Sequence, residues 1–274
     1  MLTYPNIDPA IFTIGPFHLG QTSIGPFQLR WYSLMYIIGL VAVFLFLRRA
    51  VRTGRLKMTE EQIEVSLVYG LVGMILGARL AYVFIYNFEY YRHHLSEMVM
   101  IWQGGLSFHG GFVGLITGIL IFCHLNKIDF LSLTDNIAAI IPVGLGFGRI
   151  GNFINGELWG RVSDVPWAMI FPGGGPLPRH PSQIYESFLE GWLLLALTLF
   201  VYSRKPRTGV VSATFILGYA SFRFIAEFFR EPDQQLGFFF GGFSMGQLLC
   251  SLMWVFGVFI LMYSKTHYSG KPAH

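Results

Sequence analysis

The chain has 274 residues, 53% of them hydrophobic and only 12% charged, with a formal net charge of +4 and a mean hydropathy of +0.53. Soluble globular domains carry about 25% charged residues, so this chain cannot cover an ordinary water-facing surface. The deficit excludes a disordered protein and a nucleic-acid-binding domain, argues against a cytosolic enzyme, and points to an all-α polytopic membrane protein.

Residues 1–30 lack the basic stretch and apolar run of a cleavable signal; they carry Tyr4-Pro5, Gly15-Pro16 and Gly25-Pro26 instead. They read as an ordered extracytoplasmic segment, part of a small set of caps or arms. A membrane-crossing helix needs about 20 mostly apolar residues, and seven windows qualify. They run from Trp31 to Leu47, Ile63 to Tyr86, Leu106 to Leu125, Thr134 to Gly156, Ile184 to Tyr202, Gly209 to Phe229 and Ser244 to Tyr263. The expectation is a seven-helix transmembrane domain over 31–263, with outer inserts at 87–105 and 157–183 and an inner tail at 264–274. The second insert contains Phe171-Pro172-Gly173-Gly174-Gly175-Pro176, which has no propensity for regular structure and reads as a flap or a small cap. No internal repeat, low-complexity tract or heptad series is read. Cys123 and Cys250 fall near opposite membrane faces without a CxxC motif, and read as small core residues.

Basic residues orient the spans, because retained cytoplasmic loops are rich in Lys and Arg. Eleven of them, including Arg48, Arg49, Arg52, Arg55, Lys57, Lys127, Arg204, Lys265 and Lys271, fall on alternate loops and the tail. Five lie on the other side, and three, Arg79, Arg149 and Arg223, lie inside spans. The N-terminus is therefore expected on the periplasmic side and the C-terminus in the cytoplasm.

Ionisable groups in hydrocarbon are costly and mark function. Given this orientation and a rise of about 1.5 Å per residue, His109, Arg149, Asn152, Asn155, Tyr185, Glu186, Glu190, Tyr219, Arg223, Glu227, Tyr32 and Arg79 all fall in the outer half. The inner side has little comparable beyond Asp135 and Asn136. Tyr219, Arg223 and Glu227 form one helical stripe, Arg149 and Asn152 a second, and Gln183, Glu186 and Glu190 a third. Glycine at 110, 111, 144, 146, 148, 151 and 156 brings backbones close or leaves room for a ligand. Arginines in a cavity open to one leaflet suit the phosphate of an anionic lipid head group, with the glutamates orienting them.

The segment Gly148-Arg149-Ile150-Gly151-Asn152-Phe153-Ile154-Asn155-Gly156-Glu157-Leu158-Trp159-Gly160-Arg161 resembles the signature of the bacterial phosphatidylglycerol–prolipoprotein diacylglyceryl transferases. So do Ser107-Phe108-His109-Gly110-Gly111, His180-Pro181-Ser182-Gln183-Ile184-Tyr185-Glu186, Arg223 through Arg230, and Arg30-Trp31-Tyr32-Ser33-Leu34-Met35-Tyr36. Phe112, Ile184 and Ala226 depart from the pattern only among apolar residues.

The resemblance implies an enzyme of the bacterial inner membrane. It would move the diacylglyceryl group of phosphatidylglycerol to the lipobox cysteine of a prolipoprotein signal peptide, at the periplasmic leaflet, forming a thioether and releasing glycerol phosphate. The nucleophile comes from the substrate, so no reactive cysteine is needed here. His109, Arg149, Arg223 and Glu227 are the catalytic candidates. Arg149, Arg223, Asn152, Tyr32, Glu157, Tyr219 and Gly160 are the candidates for holding the lipid, with Arg161 and Arg230 at a gating rim. His109 is either the base for the thiol or a positioning group beside an activating arginine field. No metal, cofactor or nucleic acid is implied, and a monomer is expected. The alternative class is a phospholipid transporter or scramblase with an outer-leaflet head-group site, which should carry polar residues through both leaflets.

Overall fold

The apolar windows fold as helices, and what interrupts them is chemical. The computed structural model describes residues 2–5, 7–19, 22–231, 238–239 and 243–268, so Lys271 and the end of the tail lie outside the described residues. The chain divides into two compact units, Met1–Phe46 with Asp135–His274, and Leu47–Thr134.

In the first unit a ribbon of β1 (Ala10–Ile14), β2 (Phe17–Leu19), β3 (Thr22–Ile24) and β4 (Phe27–Arg30) leads directly into α1 (Trp31–Arg52), which continues past the unit's edge. Strand β1 pairs with β4 and β2 with β3, both antiparallel, so Gly15-Pro16 and Gly25-Pro26 interrupt the ribbon opposite each other. These strands are an addition to the expected all-α fold. They also correct the reading that the chain has no repeat: Ile14-Gly15-Pro16-Phe17-His18-Leu19 recurs ten residues later as Ile24-Gly25-Pro26-Phe27-Gln28-Leu29. A six-residue motif is too short to register as a structural period, but here it gives both strands the same kink.

Numbering continues in chain order. α2 is Glu60–Ala81, α3 Phe88–Tyr91 and α4 Phe108–Asn126; α5 (Phe130–Ile140) and α6 (Pro142–Ile154) form a pair bent by 43°. Pro142, the first residue of α6, offers no N–H to continue the ladder, and the expected single span breaks there. Ser182–Ser203 is one rod: α7 (Ser182–Glu186) passes through a π-helical stretch, Ser187–Leu193, into α8 (Leu194–Ser203). Then follow α9 (Val210–Ala226), a short hairpin of β5 (Phe238–Phe239) and β6 (Phe243–Ser244), and α10 (Met245–His267). Ser244 and Gln247 close a capping box at the start of α10.

Among the described residues five helices are long and apolar enough to cross a bilayer, or six with the bent pair; α9 is apolar but shorter. Of the seven expected windows, five fold as plain span-length helices, one as the bent pair and one as the shorter helix α9. Asp135 explains how the short helix is placed. Its buried carboxylate accepts from Gly209 N, Ser212 N and Ser212 Oγ, each at 2.7 Å, capping the first turn of α9 from another helix. Nearby, Tyr202 donates to Asn136 Oδ1 at 2.7 Å and Ser264 Oγ to Thr208 O at 2.6 Å.

The unit Leu47–Thr134 is built on α2 packed against α4. Gly73 and Gly77 face Gly110 and Gly114, and a methyl on Gly114 would collide with the Gly73 carbonyl, so the backbones touch. α2 ends in a π-helical turn, Tyr82–Tyr86. Arg79 was expected in the polar layer; within this unit it instead organises the outer insert. It donates to Glu97 O (2.6 Å), Met98 O (2.8 Å), Gly104 O (2.7 Å) and Gly105 O (3.0 Å), and lies over the Tyr91 ring.

Replacing Asp135 with Ala leaves three donors without their charged acceptor. We expect a loss of about 3 kcal/mol, read as a lower unfolding temperature of the purified protein in detergent, with Asp135→Asn intermediate.

Candidate functional site

Three helices of the first unit converge on one charge cluster. α6 supplies Arg149, the rod starting at Ser182 supplies Glu186 and Glu190, and α9 supplies Arg223 and Glu227. The two glutamates are one turn apart at the entry to the π-helical stretch, a distortion that often marks functional sites. Both reach both arginines. Arg149 Nη2 lies 2.9 Å from Glu186 Oε2 and 3.3 Å from Glu190 Oε2, while Arg223 Nη1 lies 2.7 Å from Glu186 Oε2 and 3.4 Å from Glu190 Oε1. Arg223 Nη2 pairs with Glu227 Oε2 at 2.7 Å. The Glu186 and Glu190 side chains are 0% exposed, whereas Arg149 is 19% and Arg223 12% exposed.

Charge buried this way is tolerated only when paired. The two guanidinium groups are therefore engaged by three carboxylates before any ligand arrives. They are not engaged equally. Among the described residues Arg149 uses only Nη2, leaving Nη1 and Nε open, while Arg223 has both terminal nitrogens in ion pairs. Arg149 is the guanidinium that can take an oxyanion side-on.

A second knot sits just beyond Arg149. Asn152 Nδ2 and Asn155 Nδ2 donate to Glu157 Oε1 at 2.9 and 3.0 Å. Gln183 Nε2 holds the Glu157 carbonyl at 2.6 Å and Ser182 Oγ the Leu158 carbonyl at 3.1 Å. They pin the chain where Leu158 turns left-handed, at φ 56°. Tyr4 closes the end of α6, its hydroxyl donating to Phe153 O (2.6 Å) and Ile154 O (3.1 Å), carbonyls at the helix end. Tyr32 packs on α6 at Gly151 and its hydroxyl bonds Tyr36 at 2.9 Å. Tyr219 lies one turn before Arg223, half-buried and stacked on Phe215.

The 157–183 insert is an ordered cap. Gly160 bonds His180 O through its N–H at 2.9 Å and bridges Arg230; a Cβ there would strike the Phe229 and His180 carbonyls, so only glycine fits. Arg161 was expected at a gating rim. Here it donates to Arg230 O (2.9 Å) and Glu227 O (3.5 Å), clamping the C-terminal end of α9. Arg230 stands beside it in the bridge to Gly160. Arg179 ties the cap together through Gly174 O, Gly160 O and Glu231. Burial pushes His180 below the ordinary histidine range, and its Nδ1 faces Tyr185 OH at 3.1 Å.

The structure thus joins Arg149 to Arg223 through Glu186 and Glu190, Arg223 to Glu227 directly, and Asn152 to Glu157; Tyr219 is on α9, Tyr32 on α1, and Gly160, Arg161 and Arg230 on the cap and the segment after α9. His109 belongs to the other unit. There it is exposed on the first turn of α4, behind the Ser107 cap, with no hydrogen-bond partner among the described residues. It lines an apolar cavity of about 850 Å³ with Leu80, Ala81, Gly110 and Val113. Sequence reasoning treated Glu186 and Glu190 as counter-charges and left them out of the site, and it missed Tyr4, Ser182 and Arg179. The glutamates had a signal in their helical spacing with Gln183; Tyr4, on an irregular segment, had none.

A family model described as prolipoprotein diacylglyceryl transferase matches residues 21–263. Among similar proteins is the phosphatidylglycerol–prolipoprotein diacylglyceryl transferase of Photobacterium profundum, 48% identical over 273 residues, 99% of this chain and 97% of that protein. Proteins of the same name in Pseudoalteromonas atlantica (49% identical, 96% of this chain, 91% of that one) and Vibrio vulnificus (48%, 98% and 97%) match as fully.

Exchanging Arg223 for Met leaves Glu186 and Glu190 with Arg149 alone and removes the ion pair of Glu227. The expected cost is about 3–5 kcal/mol, measured by unfolding in detergent, with Arg223→Lys recovering part of it.

Proposed function

The chain belongs to the prolipoprotein diacylglyceryl transferase family, and from that premise and the cluster geometry we infer that it is a phosphatidylglycerol–prolipoprotein diacylglyceryl transferase, a multi-pass membrane enzyme. We assign it to the bacterial inner membrane with seven spans. In this reading α5 with α6 counts as one span and α9 as another, the N-terminus is periplasmic and the C-terminus cytoplasmic. The transmembrane catalytic domain covers 31–263, between an extracytoplasmic segment at 1–30 and a tail at 264–274. The site faces the periplasmic leaflet, and a single chain carries every side chain the reaction needs.

The reaction is a displacement at carbon. The lipobox cysteine of the prolipoprotein gives up its proton, and its sulfur attacks the glyceryl carbon that bears the phosphate ester. A C–S bond forms, the C–O bond breaks, and glycerol phosphate leaves with the electron pair. The observation that carries this reading is the open edge of Arg149 in a buried cluster: Nη1 and Nε can hold the phosphate and stabilise the charge that grows on it. Arg223, paired with Glu186, Glu190 and Glu227, takes up part of the carboxylate charge that Arg149 would otherwise meet alone. Asn152, Glu157, Tyr32 and Tyr219 shape the head-group pocket, Gly160 lets the cap approach, and Arg161 and Arg230 hold the rim at the outer end of α9.

Carboxyl groups outnumber guanidiniums here by three to two, so the cluster is a poor source of the positive field that would lower a thiol's pKa. That favours His109 as the base, over thiol activation by the arginines alone. Asp135 and Asn136 bond α9 and Tyr202, which supports a site confined to one leaflet over a transport path through both.

Purified protein, labelled phosphatidylglycerol and a lipobox peptide with a free cysteine test the reading. Wild type should form the thioether-linked peptide, and Arg149→Ala should lose about 100-fold or more in turnover. Absence of product, or equal rates for the two proteins, defeats it. His109→Gln should lose about 100-fold or more in turnover; retained turnover removes His109 from the base role.

A further inference from the structure

The N-terminal ribbon has two chemically different faces. Cross-strand partners share a face, so the pairings Phe12↔Leu29 and Ile14↔Phe27 put those four residues on one side, and Thr13↔Gln28 lies on the other. On the apolar side Phe12 is 50%, Ile14 49% and Phe27 57% exposed. The polar side is finished by Arg30, whose guanidinium donates to Gln28 Oε1 at 2.9 and 3.2 Å.

A two-stranded ribbon alone is marginal in water and needs a further layer on its apolar face. Among the described residues of its own unit, no protein layer buries Phe12, Ile14 or Phe27. We propose that the outer interface of the bilayer is that layer: the β1–β4 ribbon is an arm that lies on the membrane with Phe12, Ile14, Leu29 and Phe27 among the acyl-chain ends. Continuity argues for lipid over any other occupant. β4 ends at Arg30 and α1 begins at Trp31, with no linker to lift the ribbon away from the span. The exposed face of α1 carries on with Tyr36, Ile37 and Leu40.

The depth is bounded by the backbone. Neither strand has a strand partner beyond the ribbon among the described residues, and unpaired edge N–H and C=O groups cannot enter hydrocarbon. The arm therefore lies in the interfacial zone, where aromatic residues are at home, with Thr13, Gln28 and Arg30 toward water. This rests on the reading of α1 as a span with its start outside.

Spin labels test it in the full-length protein, in a Cys123→Ala, Cys250→Ala background reconstituted in nanodiscs of phosphatidylglycerol and phosphatidylethanolamine. Labels are introduced as Phe12→Cys, Thr13→Cys, Ile14→Cys, Phe27→Cys and Gln28→Cys, and Leu40→Cys is the control on α1. The ratio of collisions with oxygen to collisions with a water-soluble nickel chelate should be several-fold higher at 12, 14 and 27 than at 13 and 28. A uniformly low ratio overturns the proposal by placing both faces in water. Shielding of 12, 14 and 27 from both reagents overturns it in favour of a protein cover; dipolar broadening then identifies a second copy, and shielding that appears only with the lipobox peptide identifies the substrate. A low ratio at Leu40 would show that the span itself is misread, independently of the arm.

Discussion

Everything at the centre of this molecule follows from the cost of holding guanidinium groups in a low-dielectric layer. Arg149 and Arg223 persist there because Glu186, Glu190 and Glu227 lie within ion-pair distance. Those carboxylates are in turn held by where three helices are anchored. α9 is set from its N-terminal end by Asp135 and from its C-terminal end by Arg161. α6 is set by the break at Pro142 below and by Tyr4 above. Remote hydrogen bonds therefore fix how the guanidiniums and carboxylates of the cluster meet.

The cluster is not a simple anion hole. A cavity lined by free arginines would bind any phosphate tightly, product included, and binding the ground state as strongly as the transition state does not speed the chemical step. Under the proposed reaction, pre-engaged arginines would moderate that affinity: a lipid phosphate would compete with the carboxylates for them, and charge growing on its oxygen as the C–O bond breaks would shift the competition toward it. The carboxylates also keep the two like-charged guanidiniums together when no lipid is bound.

Much of this was legible in the sequence because helical periodicity carries it. The spacing of Tyr219, Arg223 and Glu227, and of Gln183, Glu186 and Glu190, predicts two facing stripes, and the structure pairs them. Depth along oriented spans predicts that Arg149 joins them. Periodicity is silent where the backbone leaves the helix. The ribbon of β1–β4 was hidden because each strand spans five residues or fewer, too short for alternation to stand out among prolines and glycines. Arg79 was misjudged because depth alone does not distinguish a ligand arginine from one that gathers four backbone carbonyls. Tyr4 acts through a contact 149 residues away in sequence, which no local pattern records.

The π-helical stretch at Ser187–Leu193 gives the rod Ser182–Ser203 a property that a plain α-helix lacks. Its upstream end must present Ser182, Gln183 and Glu186 to the cap and the arginines, while its downstream end must present Thr198 to the Ala139 carbonyl and Leu194 to the core. Each residue of an α-helix turns the chain by about 100°, and a widened turn acts as an added residue that re-phases one half against the other. The stretch is a rotational coupling between two surfaces that make separate demands. Chain length within it is thus constrained as firmly as the identities of Glu190 and Gly191: an exposed side chain such as Phe188 can change alone, while a single-residue gap there would have to be matched by a compensating shift in every partner of one half.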